Sequence, residues 1–197
     1  MEAAPRHPQA PPMDPAIPSA PMQRVMVVGG PGSGKTTVAR RLGAVLALPV
    51  IHMDFHFWRP GWRAPDAAIW RDQVAALAGQ PRWIMDGHYA NTYDIRMPRA
   101  DSLVWLDYAR ITCMRRVLLR TVTGYGRTRA DLPAGCPDRV DVAFLRYVWA
   151  FPRKQRPRID AGIRQLGAHL RVTRLRNDRE VEDFLDALSA ERMKPAR

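Results

Sequence analysis

Eight consecutive residues, Gly29-Gly30-Pro31-Gly32-Ser33-Gly34-Lys35-Thr36, constrain this chain more than any other feature. They satisfy the pattern G-x-x-x-x-G-K-[ST], and their context fits it. The apolar β-rich run 24–28 (RVMVV) precedes them, and a helical pattern with Val38, Leu42, Val45 and Leu46 on one face follows. Glycines at these positions let the backbone turn its N–H groups inward around a phosphate, and the helix start adds its positive dipole end. Gly29, Gly30, Pro31, Gly32, Ser33, Gly34, Lys35, Thr36 and Thr37 are therefore the candidate triphosphate-binding residues. Lys35 is placed to reach the β- and γ-oxygens, Thr36 to ligate Mg2+, and Thr37 to touch the α-phosphate. The pattern implies ATP or a related triphosphate as ligand.

Around this turn the chain alternates short β-rich runs with helical patterns, the signature of an α/β fold with a parallel sheet covered on both faces. Strands are predicted at 24–28, 50–52, 83–85, 102–106 and 170–175. Helices are predicted at 35–48, 65–78, 110–120, 141–151, 157–166 and 178–191, the last capped by Asp178. The stretch 1–21 carries seven prolines and almost no large apolar residue, so it is predicted to be a disordered extension. Residues 22–197 then form one domain, with Met22 a candidate start. The two cysteines, Cys113 and Cys136, fit no zinc spacing or disulfide framework and suit a cytoplasmic protein. No apolar run approaches the roughly 20 residues of a membrane span.

Charge narrows the partners. The formal net charge is +12, with 28 arginines against three lysines. Residues 110–158 hold 12 basic and three acidic residues (Asp131, Asp138, Asp141), which is +9 of that total. Arginine is favoured where phosphate is gripped bidentately. The glycine- and arginine-rich stretch 121–137 reads as a mobile loop, so about 121–156 is a candidate arginine-rich helical lid. Arg127 and Arg153 are its candidate catalytic residues, flanked by Arg115, Arg116, Arg120, Arg129, Arg156 and Arg158. Arginines brought in by a closing lid would neutralise charge on a transferring phosphoryl group. The same basic bias allows weak duplex DNA binding, although the sequence carries no recognised DNA-binding motif.

Two acidic residues compete for the Mg2+ side, Asp86 in WIMDGHY and Asp107 in VWLDY. Asp86 is favoured, because its strand is expected beside the triphosphate strand and Gly87 allows close approach. Asp107 otherwise reads as a helix N-cap. Asp54, in His52-Met53-Asp54-Phe55-His56 after the second strand, projects from the carboxyl edge of the sheet, where ligands of open α/β folds bind. It is the candidate proton acceptor from, or hydrogen-bond partner of, an acceptor substrate. Phe55, Phe57, Trp58, Trp62 and Trp70 are candidate walls of an acceptor pocket, or a hydrophobic cover under a surface loop.

Taken together, these segments carry a family resemblance. The phosphate turn, His52-x-Asp54 with Trp58-x-x-Gly61-Trp62, Asp86-Gly87-x-Tyr89, Asp101…Trp105-Leu106-Asp107, Gly126-Arg127-Thr128-Arg129, Gly135-Cys136-Pro137 and Arg153…Arg156-Pro157 resemble adenylate-kinase-related P-loop proteins labelled topology modulation proteins. The resemblance implies a P-loop NTPase fold of nucleoside/nucleotide-kinase type, with a five-stranded parallel sheet ordered 2-3-1-4-5. It also implies ATP binding and phosphotransfer to an undefined acceptor. One departure bears on that acceptor. Adenylate kinases follow the third-strand Asp-Gly with Phe-Pro-Arg, whose arginine grips AMP, whereas this chain reads Asp86-Gly87-His88-Tyr89. The expectation is an ATP- and Mg2+-dependent nucleotide or small-molecule kinase, the alternative an ATP-regulated DNA-binding protein.

Overall fold

In the computed structural model, which describes residues 22–193, five strands form one sheet whose neighbouring strands all run parallel. They are β1 (Arg24–Gly29), β2 (Val50–His52), β3 (Trp83–Asp86), β4 (Ser102–Leu106) and β5 (Arg171–Leu175), in the order β2-β3-β1-β4-β5. The order is the one that the resemblance implied for an α/β fold with a five-stranded parallel sheet. The proline-rich stretch 1–21 lies outside the described residues. Met22 is buried in the core beside β1.

Alternation along β1 explains the layering. Val25 and Val27 enter one buried cluster, with α1 (Lys35–Leu46), α5 (Arg110–Thr123) and α7 (Asp178–Met193). Met26 and Val28 enter the other, with α3 (Ala67–Ala78) and α4 (Tyr93–Arg96). Strands buried on both faces read as continuous apolar runs, as β1 and β4 do. Helix α6 (Val142–Leu166) serves both layers: Val148 packs in the first cluster, Ile159 in the second.

Several elements depart from the sequence expectation. Residues Val142–Leu166 form one 25-residue helix in place of two, with Pro152 and Pro157 inside it. Each proline removes one intrahelical hydrogen bond, but the buried stripe Val148, Phe151, Gln155, Ile159 and Gly162 keeps one face packed throughout. Packing overrides propensity here. Helix α1 stops at Leu46 because Ala47 turns left-handed, at φ 50°. A short helix, α2 (Met53–Phe57), follows β2 where no helix was expected. Asn177 replaces Asp178 as the cap of α7: its Oδ1 accepts from Glu180 N at 2.9 Å. Asp178 instead accepts from Tyr108 and Arg116.

Candidate active site

The site lies at the carboxyl edge of β1, β3 and β2. At Gly29 the chain leaves β1 with φ +151°, and a Cβ there would stand 2.5 Å from the Leu106 carbonyl oxygen. Gly32, at φ +78°, approaches α5 so closely that a Cβ would meet the Cys113 carbonyl oxygen at 2.4 Å. Side chains are excluded at both positions, which leaves backbone to form the cradle. Lys35 Nζ folds back to donate to the Gly30 carbonyl at 2.9 Å. Burial holds the Lys35 ammonium below its usual pKa, against the opposing pull of Asp86 and Asp54. Ser33 Oγ is buried and has no hydrogen-bond partner, so the cradle holds an unspent polar group. Thr37 is exposed.

Strand register brings the polar groups together. Asp86 aligns with Val27 on one side and His52 on the other. Its Oδ2 accepts from Thr36 Oγ1 at 2.8 Å and lies 3.1 Å from His52 Nδ1. The Thr36 hydroxyl and the buried Asp86 carboxylate are hard oxygen donors, the kind Mg2+ takes. Asp107 is elsewhere. Arg156 reaches its Oδ1 at 2.6 Å and Arg174 its Oδ2 at 2.5 Å, so it anchors α6 and β5 and caps no helix. His56 Nδ1 sits 3.5 Å from Gln73 Nε2.

Asp54 lies in the first turn of α2. Its Oδ1 accepts from Tyr89 Oη at 2.6 Å. Burial raises the Asp54 pKa above the ordinary carboxylate range, while the Tyr89 bond and Lys35 pull it down. Tyr89 is held in an unusual backbone conformation, φ 30°. Its anchor is Arg96, which the sequence reading missed. This guanidinium is completely buried and donates to the carbonyls of Gly87, His88 and Tyr89 and to Thr92 Oγ1, at 2.8 to 3.0 Å. Burial lowers its pKa to about 10, so it stays charged at neutral pH. An arginine in an amphipathic stretch normally signals a surface position. The buried one is recognisable only once the turn it fills is known.

The arginine-rich region has a definite course across the site. Gly61 N donates to the Gly135 carbonyl at 2.8 Å, Trp62 Nε1 to the Pro137 carbonyl at 3.1 Å, and Cys136 Sγ to the Arg59 carbonyl at 3.3 Å. These bonds tie the segment after α2 to the loop after α5. Beneath the loop lie Arg120, Arg129, Asp131 and Asp138. Asp131 Oδ2 stands 3.5 Å from both Thr36 Oγ1 and Arg129 Nη2. The Nε atoms of Arg120 and Arg129 are buried without hydrogen-bond partners. Burial, then repulsion from Arg129, lowers the Arg120 pKa. Arg127 and Arg153, the arginines singled out from the sequence, are both exposed. Asp131 and Asp138 had counted only as the minority charge of a basic stretch, yet both are buried.

The aromatic residues divide. Phe57 packs on Trp58, Trp70 and Tyr89, with ring centroids 4.8 to 5.0 Å apart, and Trp58 packs on Trp62. Phe55 turns outward, 49% exposed. His88 packs against Phe151, and its two ring nitrogens meet Gln155 Oε1 at 3.0 Å and Tyr93 Oη at 2.9 Å.

Comparisons with known proteins agree with this architecture. No family model matches the chain. Shikimate kinase from Bacteroides thetaiotaomicron superposes with a TM-score of 0.52 at 19% identity, covering 88% of this chain and 99% of that one. Shikimate kinase from Acinetobacter baumannii, solved with shikimate, gives 0.51 at 16% identity, covering 88% and 96%. These likenesses show the fold. No helix among the described residues is long and apolar enough to cross a membrane. In sequence, cytidylate kinase from Pyrobaculum aerophilum is 32% identical over an alignment of 141 residues that covers 63% of this chain and 72% of that protein. The finer likeness to topology modulation proteins is matched by none of these, and the chain belongs to the family of P-loop nucleotide and small-molecule kinases that includes this cytidylate kinase.

Proposed function

We propose that this protein is an ATP- and Mg2+-dependent phosphotransferase that uses Asp54 to accept the proton of an acceptor hydroxyl. The observation that carries the reading is the juxtaposition at one sheet edge of Lys35, the Thr36–Asp86 pair and Asp54. Backbone N–H groups of Gly29–Thr36 and Lys35 would bind the triphosphate, and Thr36 with Asp86 would hold Mg2+. The metal supplies charge neutralisation on the phosphate oxygens when bound. Asp54, with its raised pKa, is a better proton acceptor near neutral pH than an ordinary carboxylate. As the acceptor oxygen bonds to the γ-phosphorus, the bond to the β–γ bridging oxygen breaks, ADP leaves, and the hydroxyl proton passes to Asp54.

Arg120 and Arg129 are better placed than Arg127 or Arg153 to meet charge on the transferring phosphoryl. Both bear buried Nε–H groups without a hydrogen bond, and both lie within electrostatic reach of Asp54. The test is transfer of label from γ-labelled ATP to a panel of nucleosides, nucleotides and small hydroxy compounds, with and without Mg2+. A labelled product that requires Mg2+ and disappears in Lys35→Ala is expected. ATP bound without transfer to any member would refute the phosphotransferase reading.

A further inference from the structure

His52 takes no part in the chemistry assigned to Lys35, Thr36, Asp86 and Asp54, yet it touches one of them. We propose that His52 is the positioning residue of the cation side: its Nδ1–H fixes the Asp86 carboxylate, which in turn takes the hydrogen of the Thr36 hydroxyl. The inference deepens the phosphotransferase reading and rests on it for the cation. His52 ends β2 and lies in register with Asp86 on β3. Its Nδ1 stands 3.1 Å from Asp86 Oδ2, the same oxygen that accepts from Thr36 Oγ1 at 2.8 Å. A carboxylate oxygen only accepts, which assigns the ring hydrogen to Nδ1. Two donors from different elements, one on α1 and one on β2, thus hold a single oxygen and limit rotation of the carboxylate about its bond to Cβ.

The consequence falls on Thr36. Its hydroxyl has one hydrogen to give and two lone pairs. Two carboxylate oxygens lie near it, Asp86 Oδ2 at 2.8 Å and Asp131 Oδ2 at 3.5 Å. With Asp86 held, the hydrogen goes to the nearer oxygen, and the lone pairs of Oγ1 are what Thr36 offers a hard cation. Without that hold the same hydrogen has Asp131 as its alternative acceptor. Partners that orient a metal ligand typically change metal affinity by about 10- to 100-fold when they are removed. The bond also ties the cation side to Asp54. His52 leads directly into α2, whose Asp54 accepts from Tyr89 Oη at 2.6 Å, and Tyr89 follows Asp86 in the turn after β3. His52–Asp86 and Asp54–Tyr89 are therefore two bonds between the same two segments, 52–54 and 86–89. Between them the backbones press together, since a Cβ on Gly87 would stand 2.7 Å from Met53 Cβ. The His52 side chain is 18% exposed and that of Asp86 5%, so their bond is largely shielded from water.

The test uses Mn2+ as a paramagnetic probe of the cation side. Its binding to the full-length protein is read by electron paramagnetic resonance, with a non-hydrolysable ATP analogue held below the protein concentration. Affinity for the analogue in EDTA is measured alongside by calorimetry. His52→Leu removes the donor, His52→Asn keeps an N–H donor at the place of Nδ1, and His52→Gln moves it to the place of Nε2. The Leu and Gln variants are expected to bind Mn2+ about tenfold or more weakly and the Asn variant within about threefold of the unaltered protein. All four proteins should bind the analogue alike in EDTA. A merely structural His52 would lower the melting temperature of the variants and leave their Mn2+ affinity level with the unaltered protein, which overturns the inference. An Asn variant no better than Leu overturns it too. If the Leu variant does not fold, the comparison of Asn with Gln decides alone. Mn2+ binding needs no turnover, so failure of the labelled-transfer assay refutes the phosphotransferase reading, whereas level Mn2+ affinity refutes only the role of His52.

Discussion

The two sides of the site are built on opposite principles. On the proposed triphosphate side the candidate groups are backbone, one lysine and one hydroxyl, all within eight consecutive residues. On the acceptor side they come from α2, the turn after β3 and α6, and buried hydrogen bonds immobilise them. The first arrangement recognises charge through a geometry that glycine backbones supply almost unaided. The second is held in place by hydrogen bonds between segments far apart in the chain. The difference teaches that the cradle and the Asp54 side of the site are encoded by separate parts of the chain, one local in sequence and one assembled from distant segments.

The sharpest break between the sides comes from Lys35→Ala. Turnover is expected to fall by roughly a thousandfold, with weakened ATP affinity by calorimetry. The melting temperature should stay within a few degrees, because the lysine gives up a buried charge along with its bond to Gly30. Asp54→Asn is expected to cost about a hundredfold or more in kcat while leaving ATP affinity unchanged, and an equal loss of ATP affinity would merge the two sides. Third, Arg120→Ala and Arg129→Ala should each lower kcat by about tenfold or more. Arg127→Ala and Arg153→Ala should stay within about twofold, as exposed charges do. A larger loss from the exposed pair would return the lid role to them.

Smaller effects sharpen the acceptor side. The Tyr89 bond lowers the Asp54 pKa against the raising effect of burial. Tyr89→Phe should therefore move the acid limb of the kcat/KM profile upward, by about one pH unit for a bond to a charged group. A purely structural role would lower the rate without moving the limb. His88 gives a stability signature. An unfolded chain protonates its imidazole below about 6.5, whereas the folded protein resists until about 4. Its contribution is thus complete above pH 6.5 and is lost as pH falls toward 4, by up to about 3 kcal/mol. Denaturant unfolding between pH 7 and 4 should show this slope, and His88→Asn should flatten it.

Legibility followed the distance over which each feature is encoded. The cradle, the five strands and their parallel arrangement were readable because a glycine-rich turn between a strand and a helix has one local solution. Asp86 was readable as the neighbour of Thr36, since strand order places β3 beside β1. Arg120 and Arg129 could not be ranked above Arg127 and Arg153 from composition, because arginines in a basic stretch look alike until burial separates them. The single helix through Pro152 and Pro157 was unreadable for a related reason: local propensity opposes it, and only the stripe from Val148 to Gly162 sustains it.

By itself, then, the sequence determined the sheet and the glycine-rich turn that opens α1 beside Lys35. These depend on residues adjacent in the chain or on strand periodicity, where covalent geometry and local sterics leave few alternatives. Tertiary structure decided which arginines are buried, that Arg96 is consumed in holding Tyr89, and that Asp107 anchors α6 and β5. Each of those outcomes depends on which partner satisfies a buried charge or N–H group. Burial makes such choices costly to leave unmade, and they are settled only when distant segments pack together.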